Sequence, residues 1–182
     1  MILTGPEIAR QVRSGAIHID PFDVEQLNPN SYDFRLGETL VGYQATELDV
    51  ARANPVWERK LDRRGDVLYP DRIYLGHTLE TMGSEKFVPI LRAKSSVARL
   101  GLFIHVTADL IDIGSVNQWT LQLHAVQPVR IFPGMLIGQV TFWCVRGDIV
   151  LYEGKYQASR GPQPSQSYVD FAEQPATAPV AS

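Results

Sequence analysis

The apolar residues of this chain recur at a spacing of two, in short runs cut by glycine and proline. That spacing constrains the fold most, because it alternates side chains between the two faces of a strand and cannot line one face of a helix. Tyr32, Phe34 and Leu36 alternate with Ser31, Asp33 and Arg35, which predicts a half-buried strand. Further strand-like runs cover Ile73–Met82, Phe87–Arg92, Leu102–Thr107, Trp119–Val126 and Met135–Val145, with breaks at Gly83-Ser84, Gly114-Ser115 and Pro133-Gly134. Many short strands separated by turn signals predict an all-β sandwich or barrel. One short helix opens the chain: Thr4 and Glu7 form a capping-box pattern, Ile8 and Val12 share a face, and Gly15 ends it. Thr46 to Arg64 is polar and irregular and reads as an insertion or long loop.

At 182 residues, with 45% hydrophobic and 20% charged, the chain suits one domain with its own core. Its 17 Lys and Arg against 20 Asp and Glu leave a net charge of -3, so no overall basic field exists to hold a nucleic-acid polymer. A phosphate site must therefore be local. The single Cys144 cannot form an intramolecular disulfide, and the four histidines lack metal-binding spacing, which argues against zinc and for no protein-held metal. The N-terminus lacks a basic region followed by an apolar run, and no window approaches 18 apolar residues. The expectation is a cytoplasmic protein with no membrane partner.

Chemistry concentrates in few places. Lys94-Ser95-Ser96-Val97-Ala98-Arg99 packs two cations and two hydroxyls into six residues, an inventory suited to polyphosphate and equally to a solvated turn. Asp112 ends an apolar run beside a turn glycine, where it is either a turn cap or a functional carboxylate. Thr120, Gln122 and His124 share the polar face of one strand, which faces either solvent or a wet pocket. From Lys155 the apolar period stops. Lys155, Tyr156, Gln157 and Arg160 then precede a turn-rich segment that reads as a disordered end or a lid, with a solvated tail from about residue 172.

Six blocks in order resemble the dCTP deaminase family of the dUTPase-like superfamily. They are Asn28-Pro29-Asn30-Ser31-Tyr32-Asp33-Phe34-Arg35-Leu36-Gly37, Lys94 to Leu102, and His105-Val106-Thr107-Ala108 leading to Ile111-Asp112. Trp119-Thr120-Leu121, Phe132 to Gln139, and Gly154-Lys155-Tyr156-Gln157 with Arg160-Gly161-Pro162 complete the set. The resemblance implies a distorted β-barrel or jelly roll, mainly β with a short N-terminal helix, assembled as a homotrimer with sites between subunits. It implies a nucleotide-binding β domain over 1–158 and a flexible lid and tail over 159–182. The implied substrate is a deoxynucleoside triphosphate: dCTP, with dUTP and dTTP as alternatives, accompanied by Mg2+ and no zinc. By the same resemblance Lys94, Ser95 and Ser96 contact phosphates and Arg99 binds the nucleotide and positions the reacting centre. Ala108 (through its carbonyl) and Ser95 hold the attacking water, Asp112 lies at the sugar or metal end, and Lys155, Tyr156 and Ser159 belong to the closing segment.

The sequence departs from the family in three places. Where the family carries its catalytic glutamate, this chain reads Thr120-Leu121-Gln122. A carboxamide hydrogen-bonds water but does not take its proton. Three explanations stay open: a divergent member, a glutamine introduced to trap substrate, or a base supplied by Asp109 or Asp112. His124 shares the face of Gln122 and is a further proton acceptor to weigh, while His105 reads as a packed residue or part of the site. Ser159 replaces a tail glutamine, and Lys94 replaces arginine, keeping charge but losing bidentate geometry. The expected reaction is hydrolytic deamination of dCTP to dUTP with onward release of diphosphate to dUMP. The alternatives are a dUTP/dCTP diphosphatase or a silent deoxynucleotide-binding regulator.

Overall fold

A computed structural model of the chain describes residues 1–105 and 107–172. Helix α1 spans Gly5–Arg13 and buries Ile8 and Ala9. The expected capping box does not form: the Thr4 hydroxyl makes no capping bond, and Glu7 instead accepts from Gln11 Nε2 at 2.6 Å and pairs with Arg10. The carboxylate is drawn along the helix by a cation and an amide three and four residues on.

Strands β1 (His18–Asp20), β2 (Tyr32–Arg35), β3 (Thr39–Tyr43), β4 (Val56–Lys60), β5 (Asp66–Leu68), β6 (Tyr74–His77), β7 (Thr81–Gly83) and β8 (Phe87–Ala93) lead to a short helix, α2 (Ser95–Ala98). Strands β9 (Leu102–Phe103), β10 (Thr120–Ala125), β11 (Val129–Ile131) and β12 (Leu136–Cys144) follow, and α3 (Ser167–Ala172) closes the described chain. The architecture is mainly β, as the period of two requires. Among the described residues one antiparallel sheet runs β4-β3-β6-β10-β9 and a second runs β2-β12-β8, with β1-β7 and β11-β5 as separate pairs.

Three stretches differ from expectation. The polar run from Thr46 to Arg64 contains β4, paired with β3 from Thr39↔Lys60 to Tyr43↔Val56. As an edge strand it carries charge on Glu58, Arg59 and Lys60, which masks its strand character. The run Ile73–Met82 is two strands in different sheets, because the chain turns at Thr78, whose hydroxyl donates to the Glu80 carbonyl at 2.7 Å. Among the described residues of the run Leu102–Thr107, strand geometry is kept over β9 alone.

The core lies between the sheets. Leu121, Leu123 and Ala125 of β10 are fully buried, and so are Ile137, Val140 and Phe142 of β12. Gly138 is required where β12 passes β2: a Cβ there would lie 2.3 Å from Phe34 Cζ and 2.5 Å from Ile104 Cδ1. Strand β2 is not half-solvated, since Asp33 is buried along with Tyr32 and Phe34. Its polar residues feed an internal network. Fully buried Glu80 accepts from Arg35 Nε at 2.7 Å and Arg35 N at 2.9 Å, while Asp33 accepts from Asn28 Nδ2 at 2.8 Å and pairs with Lys94.

Removing one partner of such a pair strands the other charge, so Glu80→Ala is expected to cost about 3–5 kcal/mol. Urea denaturation followed by tryptophan fluorescence measures it; a loss under about 1 kcal/mol contradicts this account of β2.

Candidate active site

The polar face of β10 opens on a cavity of about 430 Å3. Register fixes what it presents: Thr120 lies opposite His77 and Gln122 opposite Leu75 of β6, so Thr120 and Gln122 face the cavity while Leu121 and Leu123 face the core. Gln122 is half-buried, and its N–H donates to the Ile104 carbonyl at 2.8 Å.

The opposite wall is the segment Ala108 to Asp112. It is docked on β8 by Leu91 N–H donating to the Asp109 carbonyl at 2.9 Å and Ile111 N–H to the Pro89 carbonyl at 3.0 Å. Arg92 pairs with the Asp109 carboxylate at 2.6 Å, directing that side chain away from the cavity. Ala108 and Asp112 line it, Asp112 with an exposed side chain and no other carboxylate beside it among the described lining residues.

The third wall is a strap that follows Tyr156. Ala158 takes a left-handed φ of 57°, rare for a residue with a Cβ, and the strap then crosses β10. Neutral side chains catch its backbone. Ser159 N–H donates to Asn117 Oδ1 at 3.0 Å, Gly161 N–H to Gln118 Oε1 at 2.8 Å, and Gln163 N–H to Thr120 Oγ1 at 2.9 Å. Two tyrosines continue the series, Tyr43 OH accepting from Ser165 N–H at 2.9 Å and Tyr156 OH from Gln166 N–H at 2.8 Å. The solvated tail expected from about residue 172 lies outside the described residues from 173 onward.

The structure thus brings together Ala108, Asp112, Gln122, Tyr156 and Ser159. Lys94, Ser95, Ser96, Arg99 and Lys155 do not line this cavity. Ser95 and Ser96 begin α2 with exposed side chains and Arg99 caps its end. Lys94 is paired with buried Asp33, and Lys155 donates to Asp170 Oδ2 at 2.5 Å, which raises its pKa. His124 packs beside Phe103 of β9, ring centroids 6.4 Å apart, and is not on the wall.

His105 is not on this wall either and lines a neighbouring cavity with Arg92, Thr107 and Asp109. Both ring nitrogens are buried and make no hydrogen bond among the described residues. Burial lowers its pKa below 6.5, opposed chiefly by the Thr120 carbonyl and then by Asp109 and the Ala108 carbonyl. Sequence reasoning did not find Asn117, Gln118 or Tyr43 as site residues. Their contacts run 42, 43 and 122 residues along the chain, and no local pattern marks such partners.

The family model described as dCTP deaminase-like matches residues 2–145. A dUMP-forming dCTP deaminase of Leptospira biflexa is 44% identical over 172 residues, covering 94% of this chain and 98% of that one. Its counterpart in Clostridium beijerinckii is also 44% identical, covering 94% and 99%, and that of Cytophaga hutchinsonii is 41% identical with the same coverage. In fold, the chain is similar to the crystal structure of a 2'-deoxycytidine 5'-triphosphate deaminase from Agrobacterium tumefaciens. The TM-score is 0.62 at 22% identity, covering 78% of this chain and 47% of that longer one.

If side-chain acceptors hold the strap down, Asn117→Ala will speed amide exchange at Ser159, Gly161 and Gln163 by about fivefold, the equivalent of one hydrogen bond of about 1 kcal/mol. Hydrogen–deuterium exchange measures it, with β12 amides as the unchanged reference. Equal exchange in both proteins contradicts the role given to Asn117.

Proposed function

The chain belongs to the dCTP deaminase-like family, and from that membership we propose that it deaminates dCTP by hydrolysis and carries the product on to dUMP. One observation carries this reading to the residues: Ala108, Asp112, Gln122, Tyr156 and Ser159, which lie in or beside three of the ordered sequence blocks, line one cavity.

Deamination at C4 of cytosine requires a held water, a group that takes its proton and stabilisation of the charge that develops on the ring. The Ala108 carbonyl accepts one hydrogen bond from the water and the Gln122 carboxamide orients it. Gln122 cannot act as the base, because a carboxamide is neutral and not appreciably basic. Leu75, Ile73 and Trp119 give the pyrimidine ring an apolar berth. Asp112 lies where it meets the sugar or orients the water that attacks the α-phosphorus, so that diphosphate leaves and dUMP forms.

Mg2+ belongs to this reading as the ion that arrives with the triphosphate. The carboxylate of Asp112 is a hard oxygen donor, which fits a cation that keeps phosphate oxygens and water as its other ligands. That ion offsets phosphate charge; no step here is assigned to it.

The cationic segment completes the site from a second copy. In one protomer Lys94, Ser95, Ser96 and Arg99 are off the cavity wall, while the cavity has no cation among its described lining residues. A triphosphate of several negative charges needs such partners. Exposed Phe103, Leu110, Leu136 and Trp143 offer apolar area for the contact, and a homotrimer closes it symmetrically. Among the described residues no helix is long and apolar enough to cross a membrane, and a nucleotide substrate with a single cysteine favours the cytoplasm.

Incubation with dCTP and Mg2+ is expected to release ammonia and diphosphate and leave dUMP, resolved by anion-exchange chromatography. Gln122→Glu is expected to raise the deamination rate at least about tenfold, by restoring a carboxylate base. Asp112→Asn is expected to lower diphosphate release by about 100-fold or more. Release of neither product by the unaltered protein rejects the reading.

A further inference from the structure

Gln157, last of the Gly154-Lys155-Tyr156-Gln157 run, reaches out of the closing segment into the body of the domain. Its Nε2 donates to the Gly114 carbonyl at 2.9 Å and to the Tyr152 carbonyl at 3.3 Å, so one amide group joins two segments. The direction is the reverse of the pins at Ser159, Gly161 and Gln163, where body side chains take strap N–H groups. Gly114 belongs to the turn that Asp112 begins: Ser115 N–H donates to the Asp112 carbonyl at 3.1 Å, and Gly114 takes a left-handed φ of 90°. The Asp112 carboxylate is exposed at the cavity and has no ion-pair partner among the described residues, so its place is set by the backbone of that turn. We propose that Gln157 is a positioning residue that ties the closing segment to the Asp112 turn and thereby sets Asp112 for the diphosphate-releasing step. This inference rests on the deaminase reading and on the role of Asp112 in it.

The turn is held from three sides. Gly114 N–H donates to the Ser84 carbonyl at 2.8 Å, the Ile113 carbonyl accepts from Tyr152 N–H at 2.8 Å, and the Gly114 carbonyl takes Gln157. Gly114 is buried and no other donor reaches its carbonyl among the described residues, so loss of the Gln157 amide leaves that oxygen unpaired. A Cβ at 114 would lie 3.0 Å from both Leu151 Cβ and Tyr152 N, so glycine lets the two segments close on each other. Gln157 is aimed by its own turn. Its N–H donates to the Gly154 carbonyl at 3.0 Å, Tyr156 N–H donates to Tyr152 OH at 3.2 Å, and a Cβ on Gly154 would lie 2.4 Å from Tyr152 Cζ. The segment 154–157 therefore curls round the Tyr152 ring and sends the Gln157 amide to Gly114.

The consequence is confined to one of the two reactions. Gln122 is held through the Ile104 carbonyl, and the segment that carries Ala108 through Leu91 N–H and the Pro89 carbonyl, so the water for deamination is placed without Gln157. Diphosphate release falls to Asp112. A water oxygen bonds to the α-phosphorus as the bond from that phosphorus to its bridging oxygen breaks, and the water gives up one proton to solvent. Water and dUTP give dUMP and diphosphate. An orienting carboxylate that shifts with its turn lowers the rate of that step, because the attack needs a defined geometry.

Single-turnover time courses on the full chain with dCTP and Mg2+ resolve the two steps, as ammonia release and as conversion of dUTP to dUMP on anion-exchange chromatography. They are run on the unaltered protein, on Gln157→Met, which keeps the length but holds no donor, on Asp112→Asn, and on the Asp112→Asn/Gln157→Met double variant. Gln157→Met is expected to slow the dUTP-to-dUMP step by about fivefold, the worth of one neutral hydrogen bond, with ammonia release within about 1.5-fold. In the Asp112→Asn background the same change is expected to cost less than about 1.5-fold, because the group that Gln157 positions is gone. A dUTP-to-dUMP rate held within about 1.5-fold by Gln157→Met overturns the proposal. So does an equal slowing of both steps, the signature of general loosening, and so does an undiminished loss in the Asp112→Asn background. Hydrogen–deuterium exchange reads the contact without turnover: the Ser115 amide is expected to exchange about fivefold faster in Gln157→Met, and an unchanged rate overturns the link to the turn. Diphosphate release that needs Asp112 and ignores Gln157 sinks this inference alone. Release that ignores Asp112 sinks the role of Asp112 with it, and release of neither product sinks the deaminase reading.

Discussion

A slip of one residue in the pairing of β10 with β6 would turn Leu121, Leu123 and Ala125 toward the cavity and drive Thr120, Gln122 and His124 into the core. The core prevents it, because three fully buried apolar side chains favour the observed register over the slipped one by several kcal/mol, at about 1.5–3 kcal/mol for each large side chain. That register is the constraint on which the site depends. It sets Gln122 opposite Leu75, brings the Gln122 amide to Ile104, and so brings the strand beside His105. It also aims Thr120 Oγ1 at the strap. Core and chemistry are two faces of one strand.

Among its described lining residues the cavity carries one carboxylate, Asp112, and no cation, while Lys94 and Lys155 are held elsewhere by carboxylates. Lys94 is held by buried Asp33, and Lys155 by exposed Asp170. The two pairs differ in what a polyphosphate must displace. The Lys155–Asp170 pair is at the surface, where an ion pair contributes about 0–1 kcal/mol and is readily exchanged. Asp33 is bound also by Asn28 and retains Lys94 more firmly, which makes Lys94 a support for the start of α2.

Much of this was legible in the amino-acid sequence, for reasons that particular residues make clear. Trp119 to Val126 alternates cleanly, and the lettering of β10 identified the core face while leaving the polar face open between solvent and a pocket; the fold sets Thr120 and Gln122 of that face on the cavity. Strand β2 misled, since Asp33 and Arg35 look solvent-facing and in fact enter a buried network whose other members, Glu80 and Lys94, lie 45 and 61 residues away. Strand β4 was hidden by the charges of an edge. The family resemblance, through its motifs and its departures from them, singled out Ala108, Asp112, Gln122, Tyr156 and Ser159, which the fold gathers on one cavity. The acceptors that pin the strap could not be read, since an amide or hydroxyl is equally at home on a solvated surface and only the tertiary fold brings the strap's N–H groups to it.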